Sequence, residues 1–159
     1  MQVSAKSDYA VRAVCMLATA PEGTSVKSAD IARAQGIPAT FLEQILSQLR
    51  KAGVVESRRG PDGGHRLARP AYAITVADVV RHMDGPLALV RGERPEALAY
   101  DGPAARLQDV WVAVRASVRA VLERTTIEAV VQGRLPDAVT SLSSDARSWT
   151  SVWPPPEGS

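Results

Sequence analysis

Thr40, Glu43, Gln44, Ser47, Gln48, Arg50 and Lys51 fall on one side of a stretch that carries Phe41, Leu42, Ile45, Leu46 and Leu49 on the other. The apolar set recurs at helical spacing, which predicts a helix from Ala39 to Lys51 with one buried stripe. The polar set can donate and accept hydrogen bonds on base edges and phosphates, the chemistry required of a helix laid in a major groove. An amphipathic helix with a merely solvated face has the same pattern, so the neighbouring residues must decide.

Upstream, Ser28–Gln35 predicts a short helix, with Ser28 as its cap, Asp30 favoured by the positive helix N-terminus and Gly36 as its stop. Pro38 then restarts the chain, because its missing N–H would be unpaired in a first helical turn anyway. Downstream, Gly53 ends the second helix, and residues 54–57 read as a short strand. Arg58-Arg59-Gly60-Pro61-Asp62-Gly63-Gly64 turns the chain, and His65-Arg66-Leu67 brings it back. A narrow loop with arginines at its base and glycines at its tip forms a wing that can reach a phosphate or enter a minor groove. It lacks the Gly-Lys-Ser/Thr ending of a nucleotide-phosphate loop. Two short helices, a tight turn and a basic hairpin together form a device for gripping double-stranded DNA. Phosphate neutralisation is expected from Lys27, Arg50, Lys51 and Arg58, and base contacts from Thr40, Glu43 and Gln44, with Ser47 on the same face. Arg59 and Gly60 belong to the wing.

The remaining composition narrows the alternatives. With 159 residues and 45% hydrophobic content, the chain can bury one core. No apolar run is long enough to cross a bilayer and the N-terminus lacks a signal peptide's hydrophobic segment, so a cytoplasmic protein with no membrane partner is expected. Net charge is only +2, but residues 1–70 hold 10 Lys/Arg against 6 Asp/Glu, while residues 71–159 hold 9 against 11. The positive excess therefore sits on the half that carries the helix pair. One cysteine excludes an internal disulfide, two distant histidines give no zinc spacing, and no nucleophile and base share a local signature, so neither a metal site nor an enzyme is expected.

Other elements must position these residues. Ser4–Ala18 predicts an opening helix with Tyr9, Ala10, Ala13, Val14 and Leu17 on its apolar face. Residues 74–83 predict a helix begun near Thr75, and residues 84–103 a loop broken by Gly and Pro. A long helix from about Ala104 to Arg124 carries Leu107, Val110, Trp111, Val114, Val118, Val121 and Leu122 as an apolar stripe. That stripe could cover its own domain, but a small domain that already has a core favours packing against a second copy. From Pro136 onward Ser, Asp and Pro dominate, which predicts a mobile tail, and Trp149 and Trp153 stand i,i+4 within it.

Several ordered motifs resemble the Rrf2 family of bacterial transcription regulators. They are Val3-Ser-Ala-Lys6, Asp8-Tyr-Ala-Val-Arg12, Ile31-Ala32, Gly36-Ile-Pro38, Phe41-Leu-Glu-Gln-Ile45, Leu49-Arg-Lys-Ala-Gly53, Ser57-Arg-Arg-Gly60 and Gly63-Gly64. The likeness covers residues 1–85 closely and the long helix more loosely. It implies a mainly α fold, with a winged helix-turn-helix domain over residues 1–85, a loop at 86–103 in the place of the family's cluster-binding loop, and a dimerisation helix with a short terminal helix over 104–133. A flexible tail would follow over 134–159. It also implies a homodimer on a palindromic operator, usually as a repressor, with Thr40, Phe41, Glu43 and Gln44 at the major-groove end of the recognition helix and Arg59 in the wing. Phe41 also belongs to the buried stripe, so it is expected at the stripe's edge.

Many members of that family hold an iron–sulfur cluster through three cysteines in the loop before the long helix. Here the loop has no cysteine, and Glu93, Glu96 and Asp101 are hard ligands unsuited to such a cluster, so none is expected. Some relatives recruit a further ligand from the opening helix, at places matching Asp8 and Arg12. Arginine stays protonated and cannot ligate a metal. Asp8, Arg12 and Cys15 lie on one side of that helix and suggest a switch pocket for a small-molecule effector or an oxidant acting on the thiol. An ordinary i,i+4 ion pair explains Asp8 and Arg12 equally well. A winged-helix module that associates with proteins through the long helix or the tryptophans, having lost DNA binding, is the remaining alternative.

Overall fold

The computed structural model describes residues 2–150 and is mainly helical, with one two-stranded hairpin. Helix α1 (Ala5–Ala18) starts where the Ser4 hydroxyl accepts the Ser7 amide at 3.0 Å, and it buries Ala10, Ala13, Val14 and Leu17 at the expected spacing. Helix α2 (Ser28–Gln35) ends at Gly36, whose φ of 62° is left-handed backbone that glycine adopts without strain. Its cap position is Lys27 and no side chain caps it, so Ser28 lies inside the first turn rather than closing it. Helix α3 (Ala39–Lys51) buries Leu42, Ile45, Leu46 and Leu49 and follows Pro38 directly.

The wing is β1 (Val55–Arg58) paired antiparallel with β2 (Gly64–Leu67), in the register Val55↔Leu67 through Arg58↔Gly64. Val26, just before α2, adds an isolated bridge to His65 through two backbone hydrogen bonds of 2.8 Å. The wing is thereby tied to the helix pair.

Helix α4 (Val76–Asp84) opens with a reciprocal cap: the Asp78 amide donates to the Thr75 hydroxyl at 3.1 Å and the Thr75 amide to the Asp78 carboxylate at 3.0 Å. Its far end is latched to α1, because the Ser4 and Ser7 hydroxyls each donate to Asp84 at 2.6 Å and Lys6 reaches the Met83 carbonyl at 3.2 Å. Burial alone would raise the Asp84 carboxyl, but the hydrogen bonds from Ser4 and Ser7 and the charge of Lys6 outweigh it and hold it below its ordinary value.

Irregular chain with two single 3-10 turns leads to α5 (Leu107–Leu122), which begins three residues later than periodicity suggests. Helices α6 (Ile127–Gln132) and α7 (Asp137–Ser143) follow. Ile127 is fully buried in the same cluster as Val14, Leu46 and Ile74, and its amide donates to the Ile74 carbonyl at 2.9 Å. The core beneath the helix pair is thus completed by a residue about forty positions beyond the end of α4. The segment expected as a tail contains α7 and a 3-10 turn at Ala146–Trp149, so its Ser and Asp serve as helix formers and caps. Trp149 is 77% exposed and its indole N–H donates to the Ser143 carbonyl at 2.6 Å, whereas Trp153 lies outside the described residues. No helix among the described residues is long and apolar enough to cross a membrane.

Candidate functional site

The burial of Leu42, Ile45, Leu46 and Leu49 decides which side of α3 faces outward. Thr40, Glu43, Gln44, Gln48, Arg50 and Lys51 are exposed and Ser47 is half-buried, so the predicted polar face is free of the core. Phe41 is half-buried and packs edge-on against Tyr9, with ring centroids 5.8 Å apart and planes at 83°. It sits at the edge of the stripe and braces α3 against α1.

Short connections fix the wing relative to α3. The Val54 amide donates to the Leu49 carbonyl at 3.0 Å, and Arg50 donates to the Ser57 hydroxyl at 3.2 Å. At the tip, Gly60 has φ 106° and its carbonyl accepts the Gly63 amide at 2.9 Å. A Cβ on Gly63 would stand 2.5 Å from the Arg58 carbonyl oxygen, and one on Gly64 2.5 Å from that of Val26. Both glycines are therefore required for close backbone approach. Lys27 and Arg58 line one open cleft of about 480 Å³ between the wing and the start of α2, together with Asp30 and Asp62. Asp30 pairs with Arg33 at 2.9 Å. Lys27, Arg50, Lys51, Arg58 and Arg59 are all exposed and none makes an ion pair among the described residues, whereas Arg66 is taken by Glu56.

The sequence places His65 only as part of the returning strand of the hairpin. It lies in β2, where burial lowers its pKa, the charge of Glu43 opposes that and the charge of Arg50 adds to it, which favours the neutral imidazole. Its Nδ1 is buried without a partner. A strand residue of a basic hairpin gives no sequence signal for the charges of a preceding helix that act on it.

Asp8 and Arg12 do pair, at 3.3 Å, but Arg12 has other duties. Its guanidinium lies 5.5 Å from the Tyr9 ring centre and donates to both the side-chain and backbone oxygens of Gln35, the last residue of α2. A cation on unsatisfied carbonyls at a helix C-terminus is a favourable structural arrangement, and here it fastens α1 to the helix-turn-helix. Cys15 is half-buried, and burial raises its thiol pKa, away from the thiolate needed for redox chemistry.

Of the stripe expected on the long helix, Val118 and Leu122 pack against Ala77, Val80 and Leu87 of their own chain, and Val121 faces an apolar hollow with α7 and Trp149. Leu107 and Trp111 are half-buried. No residue of α5 is fully buried, and Val110, Val112 and Val114 are 51%, 43% and 37% exposed. The stripe is thus divided, with Val110 and Val114 its exposed members.

An iron–sulfur cluster does not fit these residues. The single cysteine is on α1, the loop before α5 has none, Glu96 is paired with Arg115, and no group of three or more His, Cys, Asp or Glu gathers among the described residues.

Comparison with known proteins agrees with this geometry. Residues 3–133 match the family described as Rrf2, iron-dependent transcriptional regulator. The chain is 52% identical over 152 residues to the putative HTH-type transcriptional regulator Rv1287 of Mycobacterium tuberculosis, covering 96% of this chain and 94% of that protein. The solved structure of CymR, the global cysteine regulator of B. subtilis, superposes with a TM-score of 0.72 at 32% identity, over 84% of this chain and 98% of that one. The structure of T. potens IscR does so with a TM-score of 0.68 at 33% identity, over 84% and 88%. An outward polar face on α3, a basic wing tied to it and a match that runs through α6 lead to one conclusion: this chain is a DNA-binding transcriptional regulator and belongs to the Rrf2 family.

Proposed function

We propose that the protein acts in the cytoplasm as a homodimer that represses transcription from an inverted-repeat operator without an iron–sulfur cluster. The observation that carries this reading is the set of five exposed cations, free of ion pairs among the described residues, on and around the outward polar face of α3. Lys27, Arg50, Lys51 and Arg58 neutralise phosphates and release their counterions. Thr40, Glu43 and Gln44 address base edges, with Ser47 at the margin, and Arg59 beside Gly60 enters a minor groove or binds a phosphate. Val110 and Val114, exposed one turn apart on the same face of α5, support a second copy as the cover for that face, because exposed apolar surface is disfavoured in water. Two recognition helices related by a two-fold axis then demand half-sites about one helical turn, or a small multiple of it, apart.

Genome-wide occupancy followed by footprinting of the purified protein tests this reading, with light scattering for oligomeric state. The expected result is a dimer protecting a two-fold symmetric site that overlaps a promoter. A monomer, or protection without two-fold symmetry, contradicts it. In the same assay Arg59→Ala lowers affinity and reduces the salt slope by about 1, and an unchanged slope removes the phosphate role.

A further inference from the structure

Away from the α3 face, four arginines from three elements converge. Arg81 comes from the last turns of α4, Arg94 from the following loop, and Arg115 and Arg119 stand one turn apart on α5. With Pro86 and Leu87 they line a cavity of about 190 Å³. Glu123 pairs with Arg81 and, at 2.9 Å, with Arg119, while Glu96 pairs with Arg115. Arg94 makes no ion pair among the described residues. Hydrogen bonds from Arg119 and Arg81 hold the Glu123 carboxyl below its ordinary value, so this partner is charged at neutral pH.

Four guanidinium groups against two carboxylates leave two positive charges unmatched around one small hollow. A guanidinium cannot relieve such crowding by losing its proton. Pro86 and the buried Leu87 add apolar surface to the lining. Arg115 is the most enclosed of the paired arginines, its side chain 22% exposed. An ion-pair network that served packing alone would approach neutrality, and this one does not. The volume equals that of about six waters, room for a small metabolite and not for a polymer.

We propose that this cavity binds a small molecule carrying at least two negative charges, as a pyrophosphate or a set of carboxylates, and that it is the regulator's input site. Guanidinium forks match both oxyanion geometries and supply the unmatched charge. The site lies between α4 and α5. The end of α4 is latched through Asp84 to Ser4 and Ser7 of α1, and α1 holds the end of α2 through Arg12. An anion that competes with Glu123 for Arg81 therefore acts on a chain of contacts leading to the helix-turn-helix. Anion binding stands without the DNA reading; its role as an input rests on that reading.

Isothermal titration of the full-length protein with sodium pyrophosphate, and separately with sodium citrate, tests the site, with sodium chloride at matched ionic strength as control. Arg94→Gln is the informative variant, because no ion pair is lost with it and its melting temperature without probe should equal the parent's. Saturable binding of one probe per chain, weakened about tenfold or more in Arg94→Gln, is the expected result. Citrate binding without pyrophosphate binding assigns carboxylate recognition, and the reverse assigns phosphate. Absence of saturable binding for both probes, or equal binding by parent and variant, overturns the site. Arg115→Gln must show the same weakening, and its failure to do so also overturns it. In a parallel operator titration, the bound probe should change affinity at least about threefold in the parent and not in Arg94→Gln. Binding without that change overturns the input role alone, and a parent that binds no operator overturns the DNA reading and leaves the anion site standing.

Discussion

Replacing Gly64 by alanine should disable the wing while leaving the helical core intact. The new Cβ would stand 2.5 Å from the Val26 carbonyl oxygen and 2.7 Å from its carbon, separations that real Cβ atoms do not adopt. Backbone must yield, and the nearest yielding contact is the pair of 2.8 Å hydrogen bonds between Val26 and His65. Two net backbone hydrogen bonds are worth about 1–3 kcal/mol together, comparable to the whole local stability of a two-stranded hairpin. The core lies elsewhere, under Leu42, Leu46, Ile74 and Ile127, so global unfolding should change less than local opening. Arg58 and Arg59 would then lose their fixed position, and the slope of log affinity against log salt should fall by about 1–2, one for each phosphate contact. Fluorescence anisotropy on operator DNA across a salt series measures the slope, and hydrogen exchange of the His65 amide measures the opening. A Gly64→Ala protein with the parental slope and parental His65 protection would refute the reasoning.

Further outcomes follow from the core and the latch. Ile127→Ala should cost about 2–5 kcal/mol in urea unfolding at fixed protein concentration, while Val3→Ala, at a residue 60% exposed, should change it by less than about 0.5 kcal/mol. A loss below about 1 kcal/mol for Ile127→Ala would mean that α6 does not close the core. The Asp84 carboxyl is held below its unfolded value, so the latch contributes fully above about pH 4, where an unfolded aspartate ionises, and is lost as pH falls through the folded value. Asp84→Asn should accordingly be less stable at neutral pH and should lose less stability than the parent on acidification. A variant whose acid limb overlays the parent's would exclude that role.

Local patterning made the helix pair and wing legible. The i,i+3,i+4 spacing of Leu42, Ile45, Leu46 and Leu49, a helix stop at Gly36 and glycines at the hairpin tip all act within a few residues of where they stand. What escaped depends on contacts between distant residues. Ser28 has a capping side chain but one residue too late, and Arg12 pairs with Asp8 as its spacing suggests yet also serves the end of α2. Val118 and Leu122 continue the periodicity of Val110 and Val114, and a one-dimensional stripe cannot show that Ala77, Val80 and Leu87 cover only one end of it. Arg81, Arg94, Arg115 and Arg119 are spread over nearly forty residues, and folding alone brings them to one hollow.

The most direct test of operator reading by α3 is equilibrium binding of the full-length protein and of Gln44→Ala to an occupied promoter fragment and to random DNA, at several salt concentrations. Loss of a two-point contact to one base should weaken binding to the promoter by about 1–3 kcal/mol and leave binding to random DNA unchanged, so the two affinities draw together. Equal weakening on both DNAs, or none on either, would contradict base recognition by the outward face of α3.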